Sequence, residues 1–196
     1  MYLRQMQLLT PNRQIVIIHK LISLLYDRLG LDKKELEDYI EFMAIATVGD
    51  IVDLIDENRI VVKYGLKHIA HTKNTGLRAL IEECQLDINN ISSYHIGFVI
   101  GPCLNASGRL DTARQAIELM LCMDNEKAHN MAKELIALNN ERKSMTEQET
   151  HKAIELVENT GLLKDRVLVI YLKDCHESIA GIIAGRIKER YYRPTF

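Results

Sequence analysis

The feature that most constrains the fold is one helical stretch of about 34 residues, from about Asn125 to Glu158. Apolar residues recur at three- and four-residue steps in its first half: Ala128, Met131, Leu135 and Leu138. Its middle, NNERKSMTEQETHK, is almost entirely polar. At about 1.5 Å per residue, such a helix spans about 50 Å. A helix whose centre lacks an apolar face is typical of a connector between two packed bodies.

The segments on either side of this helix predict an α/β fold that is rich in helix overall. Amphipathic helical patterns dominate residues 1–123, with a short strand expected at residues 94–102. After the long helix, RVLVIYL is a near-continuous apolar run of the kind found in buried strands. The following SIAGIIAGRIKERYY predicts a helix whose small residues allow close approach to a neighbour. The second body therefore begins with a strand and a helix.

Composition narrows the class of protein. Apolar residues make up 47% of the chain, which is enough for a buried core. The net charge of −2 means that any contact with nucleic acid must use a local basic surface. The four cysteines form no Cys-x-x-Cys pair, which argues against a zinc ribbon and favours a reducing, cytoplasmic compartment. The sequence contains no apolar run of membrane-spanning length, so we expect no membrane partner.

Residues 101–110, GPCLNASGRL, combine glycines and a proline with Asn105 and Arg109, just before a helical pattern. Glycines let the backbone approach a ligand closely, and the unpaired N–H groups at a helix start favour an anion. The Arg109 guanidinium suits phosphate, and Asn105 can add a neutral hydrogen bond. The pattern leaves two interpretations open: a plain turn with Arg109 on the surface, or a site that holds an anion.

A second candidate is Asp50, which follows the buried end of a predicted helix. Its carboxylate is a suitable ligand for a hard divalent cation such as Mg²⁺ or Mn²⁺. On spacing alone, an ordinary role as a helix N-cap is the competing explanation. Asp53 and Asp56 follow at three-residue steps, and we expect them to face solvent rather than to add ligands.

The third candidate is DCHESIAGIIAGR, which places His176 after the apolar strand and before a helix, where ligands gather in α/β proteins. Gly181, Gly185 and Arg186 suit a phosphate chain that lies close to the backbone. The alternative is a half-buried histidine in front of a packing helix. A further pair, His68 and His71, stands at i, i+3 on a predicted helix and is expected at the surface rather than in a metal site.

Three stretches together resemble the RecJ family of single-strand-specific DNA exonucleases, which belongs to the DHH phosphoesterase superfamily. They are AIATVGDIVDLIDENRIVVKYGL, then GPCLNASGRLDTARQAIELML followed by LNNERKSMTEQ, and finally CHESIAGIIAGRIKERYYRP. The stretches occur in the family's order and flank a long polar helix. The resemblance covers most of the chain, from about Leu31 to Phe196.

The resemblance implies a DHH domain and a DHHA1 domain, joined by a long helix, with the nuclease groove between them. On this basis residues 1–123 are expected to form the C-terminal, mostly helical part of the DHH domain. Residues 124–158 would be the connector helix, and residues 159–196 the N-terminal part of the DHHA1 domain. The resemblance also implies release of nucleotides from the 5′ end of single-stranded DNA, with Mn²⁺ or Mg²⁺, in DNA repair and recombination.

The same resemblance implies roles for individual residues. Asp50 matches a metal-binding aspartate of the family and is the candidate catalytic residue. The residues implied to lie near the substrate phosphate are Asn105, Arg109, His176, Gly181 and Arg186.

The sequence also departs from the family pattern. The Asp-x-Asp, the following aspartate and the Asp-His-His that define the superfamily are missing, as is the closing SGR-type motif of DHHA1. Two-metal hydrolysis needs several ligands around ions about 4 Å apart, so Asp50 alone cannot build that site. We therefore expect a fragment of a RecJ-like exonuclease that is inactive by itself. Two alternatives stay open: a non-catalytic DHH-like module that binds nucleic acid or a partner, and a phosphodiesterase of oligoribonucleotides or cyclic dinucleotides.

Overall fold

The computed structural model describes residues 14–110 and 113–196 and is dominated by helices, as predicted. The helices of eight residues or more are α1 (Gln14–Leu29), α2 (Ile40–Gly49), α3 (Asp56–Ile69), α4 (Thr75–Glu83), α5 (Gly101–Leu110), α6 (Arg114–Leu121), α7 (Asn125–Asn159) and α8 (Glu177–Tyr191). Shorter helical turns occupy Lys33–Tyr39, Ile88–Asn90, Ser93–His95, Ile96–Ile100 and Leu162–Lys164. None of the described helices combines the length and the hydropathy that a bilayer-spanning helix needs.

Helix α7 is the long helix that the sequence predicts, and it contains 35 residues. It begins after Asp124, whose carboxylate accepts a hydrogen bond from the backbone N–H of Lys127 at 2.7 Å. The chain leaves the helix through Gly161, whose φ of 76° is a conformation that glycine adopts without strain. The two ends of α7 are therefore defined by local capping chemistry.

The buried hydrophobic side chains form two clusters, one towards each end of α7. The first cluster is the larger and joins α3, α4, α5 and α6 to the first half of α7, with Ile69, Leu80 and Leu135 among its buried members. The buried members of the second cluster are Ala153, Val157, Leu168, Ile179, Ile183 and Ile187. The second cluster thus joins the last turns of α7 to α8 and to the extended segment before it.

Between the two clusters, the polar centre of α7 is not exposed on every side. Asn139, Thr146 and Thr150 are buried there. The hydroxyl of Thr146 donates to the carbonyl oxygen of Arg142 at 2.7 Å. The hydroxyl of Thr150 donates to the carbonyl oxygen of Thr146 at 2.6 Å. Because these bonds satisfy the hydroxyl groups, small polar side chains can be buried at little cost. A hydrophobic pattern cannot reveal such a face.

Residues 93–110 are helical throughout, so the predicted strand at residues 94–102 and the predicted turn at residues 101–110 are both wrong. The wide turn Ile96–Ile100 leads directly into α5, and the backbone N–H of Gly101 donates to the carbonyl oxygen of Ile96. A wide turn accommodates Pro102, which has no N–H to donate. Gly101 serves packing here, because a Cβ atom would lie 2.8 Å from the Ile96 oxygen.

Among the described residues, the apolar run at residues 166–172 forms one isolated parallel bridge, between Leu168 and Thr195. The backbone N–H of Leu168 donates to the Pro194 carbonyl oxygen at 2.8 Å, and the N–H of Phe196 donates to the Leu168 carbonyl oxygen at 2.8 Å. Within residues 14–110 and 113–196 no longer strand forms. The helix-rich part of the predicted fold class is confirmed, whereas the described residues give no support to its α/β part.

Candidate nucleic-acid and metal site

Asp50 is an exposed residue at the C-terminal end of α2, where its backbone N–H donates to the carbonyl oxygen of Ala46 at 2.9 Å. The helix ends because Ile51 has a φ of 53°, a left-handed conformation that is unfavourable for a β-branched residue. A carboxylate at the C-terminal end of a helix lies at the negative end of the helix dipole. The explanation of Asp50 as a helix N-cap is therefore wrong. Helix stability does not explain why an aspartate stands at the C-terminal end of α2.

The loop after Asp50 holds the other two aspartates of the pattern. Asp53 and Asp56 are exposed, as expected. The side-chain amide of the buried Asn58 donates to the Asp53 carbonyl oxygen at 3.1 Å, which ties the loop to the start of α3. Among the described residues, no three His, Cys, Asp or Glu side chains come together in a group that could hold a metal ion. Asp50 is therefore at most one ligand of a metal site.

A buried polar network joins α2 to the end of α3. Glu41 is only 1% exposed, and its carboxylate accepts a hydrogen bond from the Thr72 hydroxyl at 2.6 Å. The Nδ1 atom of His68 lies 3.2 Å from the same carboxylate. The expectation that both histidines lie at the surface is therefore wrong for His68 and right for His71, which is exposed. The network fixes the helix that carries Asp50. The sequence could not show it, because its partners are far apart along the chain.

Helix α5 presents Asn105 on its exposed side, whereas Cys103 and Ala106 are buried. Arg109 follows Asn105 by four residues in the same helix, but the Arg109 side chain and residues 111–112 lie outside the described residues. Because Asn105 is in the middle of a helix, the backbone N–H groups around it bond within the helix. The predicted backbone cradle for an anion is therefore wrong, and any anion contact here depends on side chains.

His176 is the N-cap residue of α8 and is exposed, so the alternative of a half-buried histidine is wrong. Its Nδ1 atom accepts a hydrogen bond from the backbone N–H of Ser178 at 3.3 Å and lies 2.7 Å from the Ser178 hydroxyl. Because Nδ1 is an acceptor, a neutral ring carries its proton on Nε2. The Nε2–H group is then a donor suited to a phosphate oxygen.

The exposed side of α8 continues with Gly181 and Arg186. A Cβ atom added at Gly181, or at Gly185, would have no heavy atom within 4 Å. The expectation that these small residues admit a close helix neighbour is therefore wrong within the part of the chain that the structure describes. The buried side of α8 is made instead by Ile179, Ile183 and Ile187. Bare backbone at Gly181 leaves room for a ligand to approach α8.

A series of contacts brings the three candidate regions together. A Cβ atom at Gly97, in the wide turn before α5, would lie 3.7 Å from the side chain of Val48, which is two residues before Asp50. The wide turn continues into α5, and α5 in turn contacts α8. The end of α2, helix α5 and helix α8 therefore share one neighbourhood.

No family model matches the sequence, but similar proteins and structures exist. A single-stranded-DNA-specific exonuclease RecJ from Dickeya dadantii is 37% identical over 170 residues, which cover 85% of this chain and 30% of the relative. The RecJ of Bacillus subtilis is 35% identical over 160 residues, which cover 81% of this chain and 20% of the relative. A crystal structure of RecJ from Thermus thermophilus in complex with Mn²⁺ matches at 31% identity, with a TM-score of 0.78 over 88% of this chain and 25% of that chain. The chain is a RecJ-like segment.

The resemblance to RecJ seen in the sequence is thereby confirmed. The segment spans 20% to 30% of the length of these RecJ relatives. RecJ from Thermus thermophilus has been solved with Mn²⁺ and with Mg²⁺. The described residues of the RecJ-like segment do not fit either ion by themselves, because they bring no three candidate ligands together. A metal role for Asp50 therefore needs ligands in addition to those described.

Proposed function

We propose that this chain is part of a metal-dependent exonuclease that hydrolyses the phosphodiester bonds of single-stranded DNA from the 5′ end. The observation that carries the proposal is the fold shared with RecJ over 88% of the chain, at a TM-score of 0.78. The relatives are named as single-stranded-DNA-specific exonucleases, which gives the substrate class. We extend the proposal to a role in DNA repair and recombination in the cytoplasm.

We assign residues 1–123 to the C-terminal part of a DHH domain, residues 124–158 to the connector, and residues 159–196 to the N-terminal part of a DHHA1 domain. The two hydrophobic clusters towards opposite ends of α7 support this division, because each has its own set of buried side chains. The substrate groove of the parent enzyme then lies between the two domains.

We assign phosphate binding to the exposed sides of α5 and α8. The assigned residues are Asn105, Arg109, His176, Gly181 and Arg186. The exposure of Asn105, His176 and Arg186 and the contact between α5 and α8 support this assignment. Amide and imidazole N–H groups donate to phosphate oxygens, a guanidinium group adds charge, and the bare backbone at Gly181 lets a strand lie close. Such contacts position a strand without selecting its sequence.

We assign Asp50 to the metal site of the parent enzyme. Its exposure, its unfavourable place at a helix C-terminus and the left-handed backbone of Ile51 support this role, because such strain collects at functional sites. Two-metal hydrolysis of a phosphodiester needs several ligands, and the described residues supply Asp50 without the others. We therefore expect the segment alone to bind single-stranded DNA without hydrolysing it.

The test mixes the purified chain with single-stranded DNA that carries a 5′ label, in the presence of Mn²⁺ and at increasing salt. We expect the chain to retain the DNA at low salt and to release it as the salt concentration rises. We also expect the labelled DNA to keep its full length. Robust digestion would contradict the expectation that the segment is inactive alone.

A matched pair of variants tests the phosphate assignment. Replacing Asn105 and Arg186 together by alanine is expected to abolish retention at low salt. Arg190→Ala on the same helix is the control, because the guanidinium of Arg190 lies 3.5 Å from the carboxylate of Glu158 and is assigned no phosphate. Equal loss of binding in the control and in the double variant would show that charge alone, and not the assigned surface, retains the DNA.

A further inference from the structure

Two aromatic side chains stack on each other at the surface, just before α5. Tyr94 belongs to the short turn Ser93–His95, and Phe98 belongs to the wide turn Ile96–Ile100. Their ring centroids lie 4.8 Å apart, with 28° between the ring planes. Tyr94 is 62% exposed and Phe98 is 67% exposed, so the two rings present a large apolar area to solvent. Packing among the described residues does not explain why two aromatic rings stand at this place.

The neighbours of the pair hold it in place. The ring of His95 meets the Tyr94 ring edge-on, with 6.0 Å between the centroids and 74° between the planes. The Nδ1 atom of His95 in turn accepts a hydrogen bond from the backbone N–H of Ser92 at 3.2 Å, which caps the turn. The wide turn itself is anchored by Ile96 and Ile100, which are fully buried. A ligand that lies on the rings therefore loses little binding energy to ordering them.

The pair adjoins both regions that we assign to the DNA. Phe98 follows Gly97, at which a Cβ atom would lie 3.7 Å from the side chain of Val48 at the end of α2. The helical chain then runs without interruption into α5, and Phe98 and Asn105 are both exposed. The seven residues from one to the other correspond to about two helical turns and about 10 Å along the helix. One short strand can therefore reach the rings and Asn105 together.

An unpaired nucleobase is the ligand that such rings suit. Every base has a flat π face, so it stacks on an aromatic side chain whatever its identity. The residues that we assign to phosphate position a strand, but they cannot alone distinguish a single strand from a duplex, because both carry phosphates. In a duplex the bases are already paired and stacked on one another. A stacking site beside the phosphate contacts therefore adds a preference for single strands that those contacts lack.

We propose that Phe98 and Tyr94 form a stacking site for an unpaired base and thereby select single-stranded over double-stranded DNA. This inference rests on the proposed function, because the stacked base belongs to the strand whose phosphates α5 and α8 contact. The base lies on the face of the Phe98 ring that is turned away from Tyr94, and so extends the existing stack. The Tyr94 ring, which His95 packs against, supports the Phe98 ring from behind.

The test compares two strands that carry the same phosphates but differ in their bases. The purified chain is titrated at low salt with a single-stranded oligonucleotide of mixed sequence, and with a strand of equal length made of abasic nucleotides. We expect the chain to bind the intact strand about tenfold more tightly, because stacking of a single base on an aromatic ring contributes on this order. A duplex of the same sequence serves as the third ligand.

Variants of Phe98 identify the ring as the source of this difference. Phe98→Ala should weaken binding of the intact strand about tenfold and leave binding of the abasic strand and of the duplex unchanged. Phe98→Leu should lose as much, because leucine keeps the apolar bulk but has no flat ring. Tyr64→Ala is the control and should bind like the parent chain, because Tyr64 is 57% exposed on α3 and is assigned no base.

Variants of Tyr94 test the support that its ring gives to Phe98. Tyr94→Ala should weaken binding of the intact strand by a smaller factor and leave binding of the abasic strand unchanged. Tyr94→Phe keeps the ring and should bind like the parent chain. Circular dichroism shows whether each variant is folded.

The outcomes separate this inference from the proposed function. Equal affinity of the parent chain for the intact and the abasic strand would overturn the stacking site and point to a protein surface as the partner of the rings, while the phosphate contacts would stand. Loss of the abasic strand in Phe98→Ala would show a packing role, and binding by Phe98→Leu at the level of the parent chain would show a merely apolar contact; either result overturns the proposal. A parent chain that retains no strand would contradict the proposed function, and this inference with it.

Discussion

Glycine has opposite roles in the two bodies that α7 joins. In the first body, a Cβ atom on Gly76 of α4 would overlap the carbonyl oxygen of Leu119, and one on Gly65 of α3 would lie 2.6 Å from a backbone oxygen of α2. On α8, Cβ atoms at Gly181 and Gly185 would have no heavy atom within 4 Å. Glycine therefore lets helices touch at Gly65 and Gly76, although Gly49 of the same body has open space around it. Among the residues that the structure describes, the glycines of α8 have no packing partner of this kind, and the proposed DNA surface supplies another reason for them.

The largest effect is expected for Gly76→Ala. The added methyl group meets a backbone oxygen, which cannot move without shifting α6, so we expect the free energy of unfolding to fall by about 3 kcal/mol or more. Urea unfolding followed by circular dichroism measures it, with Gly181→Ala as the matched control. A loss below about 1 kcal/mol would show that the contact between α4 and α6 can open, and would remove the contrast between the two bodies.

The next effect concerns the buried polar network of the first body. Glu41→Ala removes the acceptor of the Thr72 hydroxyl and the partner of His68, so we expect a loss of about 2 kcal/mol in the free energy of unfolding. Glu57→Ala is the control, because Glu57 is exposed and its ion pair with Lys20, at 2.8 Å, is worth less than about 1 kcal/mol. Equal losses in the two variants would mean that the network does not hold α2 in place.

The variant Gly181→Ala tests the role of the open glycines of α8. Alanine is the better helix former, so we expect the free energy of unfolding to rise by about 0.5–1 kcal/mol. If a DNA strand lies against the bare backbone, retention of single-stranded DNA at low salt should fall in the same variant. A variant that is more stable and binds DNA as well as the parent chain would leave Gly181 without a role in binding.

Ile51 is the opposite case. Its backbone is left-handed, a conformation that favours glycine, but the residue is isoleucine. Because Ile51 is 88% exposed, Ile51→Gly loses little packing and relieves the strain of its φ of 53°. We expect the free energy of unfolding to rise by about 0.5 kcal/mol, since the added freedom of the unfolded chain offsets part of the relief. A variant less stable than the parent chain would show that the isoleucine side chain makes contacts that matter.

The long helix could be predicted from the sequence, and α5 could not. Helix α7 carries its own signals, namely apolar residues at helical spacing and Asp124 at its start. The composition of residues 101–110 indicates a turn, because glycine and proline usually interrupt helices. The wide turn before α5 removes that conflict by accommodating Pro102 and by placing the Ile96 carbonyl oxygen against Gly101. Such a backbone arrangement produces no periodic pattern of apolar residues in the sequence.

The candidate site was predictable only as a set of motifs. The resemblance to RecJ indicated Asp50, Asn105 and His176 but not the exposure of each or the contacts among their helices. The Glu41 network joins residues that are far apart along the chain, so neither local spacing nor composition reveals it. Its discovery required the tertiary structure.

The central claim is that the end of α2, helix α5 and the start of α8 form one surface that faces single-stranded DNA. The most direct measurement is a titration of the ¹⁵N-labelled chain with a single-stranded oligonucleotide at low salt, followed by amide chemical shifts. We predict that the amide signals of Asp50, Asn105 and Gly181 move together, with one affinity that weakens as salt is raised. Signals that stay fixed at these three positions, or that respond with unrelated affinities, would contradict a shared surface.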